Sequence, residues 1–249
     1  MEKNIVYTSE KLADNYANSR IRWEQFYESE RRIIEGLEIA NTESVLDIGC
    51  ACGGLGLALQ EKFGVTNYTG IEKNELAAHK AQSLNPSAVV LCGDFLELSE
   101  SVIFGKAFDL VFSLSCFDWN IQFDEMLLSA WNHVREGGRL VATFRIVVTE
   151  GCRDMKKSYQ YINYDGDFSG EKAAHVVLNA KELFGKLLSL SPSSISAFGY
   201  FGAPSRSAIT PYTYICFTAI SVTKKQGSDN ANPCLELQLP NEILLQLVS

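Results

Sequence analysis

The chain predicts an α/β fold, a mostly parallel sheet with helices on both faces. Three observations carry that expectation. Apolar runs of strand length alternate with stretches of helical periodicity from residue 44 to about residue 148. Acidic or glycine-rich turns close successive runs, as expected where strand ends line one ligand-binding edge. The third is the stretch Val45-Leu46-Asp47-Ile48-Gly49-Cys50-Ala51-Cys52-Gly53-Gly54, which runs straight into the helical pattern Leu55, Leu57, Ala58 and Leu59. A buried strand, a tight loop and a helix N-terminus in that order let a nucleotide-like ligand approach bare backbone.

The elements follow in chain order. Residues 10–39 show helical periodicity through Tyr16, Ile21, Trp23, Phe26, Tyr27, Ile33, Ile34 and Leu37, with charges between. The first strand is expected at 44–48 and a helix at 53–62. A second strand ends in Gly70-Ile71-Glu72, and a helix at 74–84 stops at Asn85-Pro86. Strand 88–92 closes on Gly93-Asp94. Strand 108–114 leads to an amphipathic helix at about 122–135, ended by Gly137-Gly138, and 139–148 reads as the next strand. The rhythm breaks at 149–178, where glycines, charges and Tyr159, Tyr161 and Tyr164 mark an insert. A helix at 179–190 precedes two β-rich runs, 195–200 and 213–222, read as an antiparallel pair. The expected division is therefore an N-terminal helical segment at 1–43, a main domain at 44–224 and a tail at 225–249. The tail is read either as a short helix opened by Pro240 or as a disordered end.

Bulk properties narrow the function. A chain of 249 residues fits one α/β domain with additions. The net charge of -8 disfavours wrapping a nucleic-acid backbone, so no nucleic-acid partner is expected. No apolar run has the length of a membrane span, and residues 1–4 lack the apolar core of a secretory signal, so no membrane association is expected. Seven cysteines without a paired framework, and three histidines without ligand spacing, point to a reduced, cytoplasmic protein with no metal site.

The chemistry-bearing residues stand at successive strand ends. Asp47 and the loop of Gly49, Cys50, Ala51 and Gly53 follow the first strand. Glu72 ends the second, Asp94 and Phe95 follow the third, and Ser113 and Leu114 close the fourth. A carboxylate at the end of the second strand suits the two hydroxyls of a ribose. An acid followed by an aromatic suits the amine and ring face of adenine. Each alone reads equally as a strand end, a cap or a core residue; their joint occurrence in strand order points to an adenosine-type ligand.

Here the chain resembles the class I S-adenosylmethionine-dependent methyltransferases of small-molecule type. The matching pieces are VLDIGCACGG, GIEKN, CGDFLEL, FDLVFSLSCFDW and VREGGRLVATF, within a resemblance covering about residues 10–224. The resemblance implies a Rossmann-like seven-stranded sheet whose last strand is antiparallel, S-adenosyl-L-methionine as cofactor, and an N-terminal helical lid. It implies that Gly49 to Gly53 cradle the methionine part, Glu72 the ribose, and Asp94 with Phe95 the adenine, with Ser113 and Leu114 beside them. Tyr16 and Arg20 would close over the cofactor from the lid. Two departures are Ala51, where many members carry glycine, and Glu72, where aspartate is commoner. A nicotinamide-dependent oxidoreductase is the fold-level rival, disfavoured because Asp47 would sit near a pyrophosphate. A non-catalytic cofactor-binding partner or sensor protein is the alternative from another functional class.

The acceptor is expected to be a small metabolite, methylated at oxygen or nitrogen by in-line displacement. The fourth strand ends in Ser-Leu-Ser-Cys-Phe-Asp-Trp and lacks the Pro-Pro-aromatic signature of amino-group methylation on adenine or glutamine. His175, in the insert, is the candidate general base; the competing reading is a surface or helix-start residue. Arg145 could clamp an anionic group, or pair with Glu150 or Asp118. Trp23, Asp118, Trp119, Tyr159 and Tyr161 are the candidate acceptor-binding residues, although Trp23 could equally glue the first helices to the sheet. At strand spacing Tyr159 and Tyr161 would share a face. An oligomer contact through the tail is left open, with nothing in the sequence to support it.

Overall fold

Leu46, Ile48 and Val111 enter one hydrophobic cluster of the protein, whereas Val45, Leu110 and Phe112 enter another. This alternation lets helices cover both faces of one sheet. The computed structural model describes residues 10–163, 166–227 and 231–248. Tyr164 lies outside the described residues.

The chain opens with α1 (Glu10–Asn18), a 3-10 turn (Trp23–Gln25) and α2 (Glu28–Glu35). The alternating part runs β1 (Val45–Ile48), α3 (Gly54–Phe63), β2 (Tyr68–Glu72), α4 (Glu75–Leu84), β3 (Val89–Cys92) and α5 (Phe95–Ser99). Next come β4 (Phe108–Ser113), a 3-10 turn (Phe117–Trp119), α6 (Phe123–Asn132) and β5 (Val134–Val147). The insert contributes β6 (Tyr159–Ile162) and β7 (Glu171–Ala174), followed by β8 (Leu178–Asn179) and α7 (Ala180–Ser189). The chain closes with β9 (Pro192–Gly202), β10 (Ala208–Ile209), β11 (Ile215–Lys224), β12 (Cys234–Gln238) and α8 (Asn241–Val248).

The main sheet has the order β3-β2-β1-β4-β5-β11-β9-β12. The pairs among β1 to β5 are parallel, so their C-terminal ends form one edge. β11 is antiparallel to both β5 and β9. Helices α5, α6, α7 and α8 supply Phe95, Met126, Leu183 and Ile243 to the cluster on one face. On the other face α2 and α3 supply Ile34 and Leu59.

The structure departs from expectation in three places. The sheet has nine strands rather than seven, because β12 adds an edge and the two-residue β8 takes up β5 beyond the end of β4. The tail is therefore not a disordered end. β12 pairs in parallel with β9, and Leu239 and Ile243 are buried against the apolar core. Burial of these two large side chains offers the segment a few kcal/mol of anchorage, ~1.5–3 kcal/mol each. Finally β5 begins at Val134, because Gly137 adopts φ +73° and the pairing with β4 shifts register between Phe108 and Leu110. The glycine pair accommodates a bulge where the sequence suggests a stop.

The insert forms a second, three-stranded sheet. β6 pairs antiparallel with β7 and with β10, so residues 159–162, 171–174 and 208–209 make one small layer.

Candidate active site

The loop after β1 is shaped by backbone. Gly49 has φ +74°, and a Cβ there would lie 2.6 Å from Cys116 Sγ. A Cβ on Gly54 would lie 2.0 Å from the carbonyl oxygen of Arg20, so the turn after α1 rests directly on the start of α3. Ala51 holds φ +47°, a conformation costing an L residue about 1–2 kcal/mol. Its N–H donates to Glu72 Oε2 at 2.9 Å, while the N–H of Asn74 donates to Glu72 Oε1 at 2.7 Å. Glu72 thereby clamps the loop from the neighbouring strand, and each carboxylate oxygen keeps acceptor capacity. Burial raises its pKa, against the pull of these N–H groups.

Asp47 is buried and accepts a hydrogen bond from Tyr68 Oη at 2.6 Å. Burial pushes its carboxyl up to about 7, although the Tyr68 hydroxyl pulls the other way. Asp94 caps α5, accepting from the N–H of Leu96 at 3.0 Å, and pairs with Lys73 Nζ at 2.7 Å. The N–H of Phe95, at the first helical position, has no acceptor within its own helix.

These groups border one cavity of about 890 Å³, at the upper part of the ~300–1,000 Å³ range of small-molecule sites. Asp47, Gly49, Cys50, Ala51, Glu72, Asp94, Phe95 and Leu114 line it, as do Tyr16 and Arg20. Arg20 is already engaged. Its guanidinium pairs with Glu30 at 2.7 Å, a carboxylate with no exposure, and reaches Ser115 Oγ at 3.3 Å. Tyr16 packs with Trp119 against Ile162 and Ala173, so the first helix meets the insert across the cavity. Desolvation raises the Tyr16 pKa despite the nearby Arg20.

The far wall comes from the turn after β4, from β5 and from the insert. Arg145 lies within β5, and its Nη1 donates to the Asp118 carbonyl oxygen at 2.6 Å and lies 3.3 Å from Asp118 Oδ2. Its guanidinium lies over Trp119, 4.1 Å from the ring centroid. The pairing with Asp118, and not with Glu150, is therefore the one formed. Asp118 is buried and its Oδ1 has no hydrogen-bond partner among the described residues. Burial raises its pKa against the opposing charge of Arg145. His175 is neither a surface nor a helix-start residue. It follows β7, is 2 % exposed and lines the cavity. Burial, then the charge of Arg145, lowers its pKa to about 3.

Four expected site residues fall elsewhere. Gly53 caps α3 with φ +76° and packs against Ala81, while Gly54 faces the cavity in its place. Ser113 is fully buried within the sheet, and the wall passes to Leu114 and Ser115. Trp23 belongs to the core, edge-on to Phe63 at 5.3 Å, and takes no part in the cavity wall. Tyr159 does share a face with Tyr161, their rings 5.7 Å apart under Lys172, but only Tyr161 reaches the cavity. Gln160 and Ile162, the alternate residues of β6, line it as well. The period of two could have found them, had the aromatic side chains not drawn attention to the other face. Thr143, which accepts the N–H of Ser115 at 2.6 Å, carried no sequence signal.

Residues 46–140 match the family model of a methyltransferase domain. That stretch runs from β1 into β5 and takes in the loop after β1, Glu72, Asp94 and Phe95. The chain is 33 % identical over 98 residues to a trans-aconitate 2-methyltransferase of Deinococcus radiodurans. That match takes in 39 % of this chain and spans about a third, 35 %, of the relative's length. In fold it is similar to phosphoethanolamine N-methyltransferase 2 of Haemonchus contortus, with a TM-score of 0.60 and 12 % identity over 88 % of this chain and 59 % of that one. It is also similar to a possible histamine N-methyltransferase of Thermotoga maritima, with a TM-score of 0.51 and 18 % identity over 87 % and 98 % of the two chains. Among the described residues, no helix is long and apolar enough to cross a membrane, and no cluster of acidic, histidine and cysteine side chains could hold a metal.

Proposed function

We propose that the chain transfers a methyl group from S-adenosyl-L-methionine to an oxygen or nitrogen of a small metabolite held inside the cavity. The observation that carries this reading is the roof made by Tyr16, Trp119, Ile162 and Ala173, through which the first helix and the insert meet at the cavity. A cavity of about 890 Å³ under such a roof suits a cofactor together with a small acceptor rather than a macromolecule.

The residues present fit the cofactor. Glu72 has acceptor capacity for two ribose hydroxyls, Asp94 and the Phe95 N–H offer an acceptor and a donor to an adenine edge, and the bare loop at Gly49 leaves room for the methionine part. When bound, S-adenosylmethionine supplies a methyl group activated by a sulfonium. The protein's share is alignment and exclusion of water. The clamp of Glu72 on Ala51 fixes the loop, and the roof residues keep solvent from the reacting end. Arg20, held by Glu30, would work as a latch on the lid, with its remaining N–H groups directed to the cofactor carboxylate. A reducing cytoplasm suits the seven unpaired cysteines.

A thermal melt tests the reading. At ~100 times its dissociation constant, S-adenosylhomocysteine should add ~2.7 kcal/mol, a rise of roughly 5–10 °C for a domain of this size. The rise should vanish in Glu72→Ala. A rise with a nicotinamide dinucleotide, and none with S-adenosylhomocysteine, would overturn the proposal in favour of an oxidoreductase.

A further inference from the structure

Ser158 stands behind His175, itself only 1 % exposed. Its hydroxyl lies 2.6 Å from the His175 carbonyl oxygen, 3.0 Å from Thr210 Oγ1 and 3.4 Å from His175 Nδ1. A carbonyl can only accept, so the single Ser158 proton goes there, and Thr210 donates to Ser158 in turn. The lone pair left on Ser158 then requires Nδ1 to be the donor. That assignment puts the ring proton on Nδ1 and leaves Nε2 bare.

Nε2 has no hydrogen-bond partner among the described residues, and His175 lines the cavity. Its surroundings disfavour a second proton. The ring is buried and meets Trp119 edge-on at 6.1 Å, while the Arg145 guanidinium lies over that same indole. The low basicity of His175 follows from this arrangement. The cavity wall at His175 therefore presents a neutral lone pair.

We infer that the methyl acceptor is a neutral nitrogen held through its own N–H by His175 Nε2, and that Ser158 is the positioning residue fixing the ring for it. The inference rests on the methyl-transfer reading above. In the transfer, the nitrogen lone pair forms the new carbon–nitrogen bond. The carbon–sulfur bond breaks, and its electron pair stays on sulfur, which becomes a neutral thioether. The positive charge passes to nitrogen, and the surplus proton leaves to water after the step. No base is needed while the bonds change. A hydroxyl acceptor would need one at that moment, and an imidazole this reluctant to take a proton serves poorly. A carboxylate acceptor would set its lone pairs against that of Nε2, and Arg145 is already paired.

Long-range proton–nitrogen NMR of the full chain with S-adenosylhomocysteine, labelled at its three histidines, reads the tautomer directly. His175 should be neutral at pH 7 with its proton on Nδ1. Ser158→Ala should populate the Nε2–H form, and Ser158→Thr should keep the parent pattern. An Nε2–H form or an imidazolium in the parent chain would overturn the inference, whatever the enzyme methylates. The acceptor atom is read by incubating the chain with [methyl-13C]-S-adenosylmethionine and a deproteinised cell extract. An N-methyl product is expected, and His175→Leu should slow its formation by about 100-fold through lost orientation, with melting in S-adenosylhomocysteine retained. An O-methyl product, or a parent-like rate in His175→Leu, overturns the nitrogen reading and leaves methyl transfer intact. Melting stabilised by S-adenosylhomocysteine with no methylated small molecule overturns both.

Discussion

The two ends of the cavity are built in different ways. At the end beside β1 and β2, the proposed cofactor end, backbone makes the surface: Gly49 and Gly54 lie so close to Cys116 and Arg20 that a Cβ would clash, and Glu72 ties down the loop through main-chain N–H groups. At the acceptor end, side chains make it: Trp119, Arg145, Asp118 and His175 come from the turn after β4, from β5 and from the insert. A backbone surface tolerates almost no substitution and recognises a fixed shape. A side-chain surface can be re-cut residue by residue without disturbing the sheet. Under the proposed function, one end would serve a constant ligand and the other would be free to specialise.

The sharpest way to break that contrast is Gly49→Ala. The new Cβ meets Cys116 Sγ and holds a positive φ, so denaturant unfolding should show a loss of about 3 kcal/mol. A parent-like midpoint would mean that the loop is soft, and the contrast would fail. Next in size is Glu72→Ala, which removes two charge-assisted hydrogen bonds from the loop as well as the proposed ribose contact. Calorimetry should show S-adenosylhomocysteine binding at least about 100-fold weaker.

A smaller effect comes from Asp47. Its folded pKa is raised, so the folded chain holds this proton more tightly than the unfolded one. Its contribution to stability is full below about pH 4 and is lost as pH rises through about 7. A bound cation reverses the preference. The affinity for cationic S-adenosylmethionine, relative to its neutral thioether product, should therefore rise by up to about tenfold between pH 6 and pH 8. Asp47→Asn should flatten that ratio; a ratio independent of pH in the parent chain would remove Asp47 from the sulfonium end. The smallest effect compares neighbours on β6. Tyr159→Ala should change binding little, with stability shifted by about 0.5 kcal/mol, whereas Gln160→Ala should raise the acceptor KM severalfold. Equal effects at both positions would show that the insert acts only as a lid.

The cavity wall at the strand ends was largely legible in the sequence. Asp47, the glycine loop, Glu72, Asp94 and Phe95 are fixed by their position relative to strand ends, and a strand end is a local event written in composition. The parallel sheet was legible for the same reason, since period and punctuation are short-range signals. Even there, the direction of a single side chain was not. Ser113 turns away from the cavity while its neighbour Leu114 faces it, because a one-residue step reverses the face.

The acceptor end was decided by tertiary structure. Nothing local pairs Arg145 with Asp118, sets Ser158 behind His175 or brings Tyr16 to Ile162 across the cavity. These contacts join segments far apart in the chain, and each depends on burial that only the assembled sheet and insert create. The tail shows the same division. Its composition left helix and disorder equally open, and the choice came from an unpaired edge of β9 and an apolar surface that accepts Leu239 and Ile243. By itself the sequence determined the strand-end chemistry and the class of fold, because both follow from short-range pattern. The buried charges and the roof took their meaning from desolvation, and desolvation belongs to the folded whole.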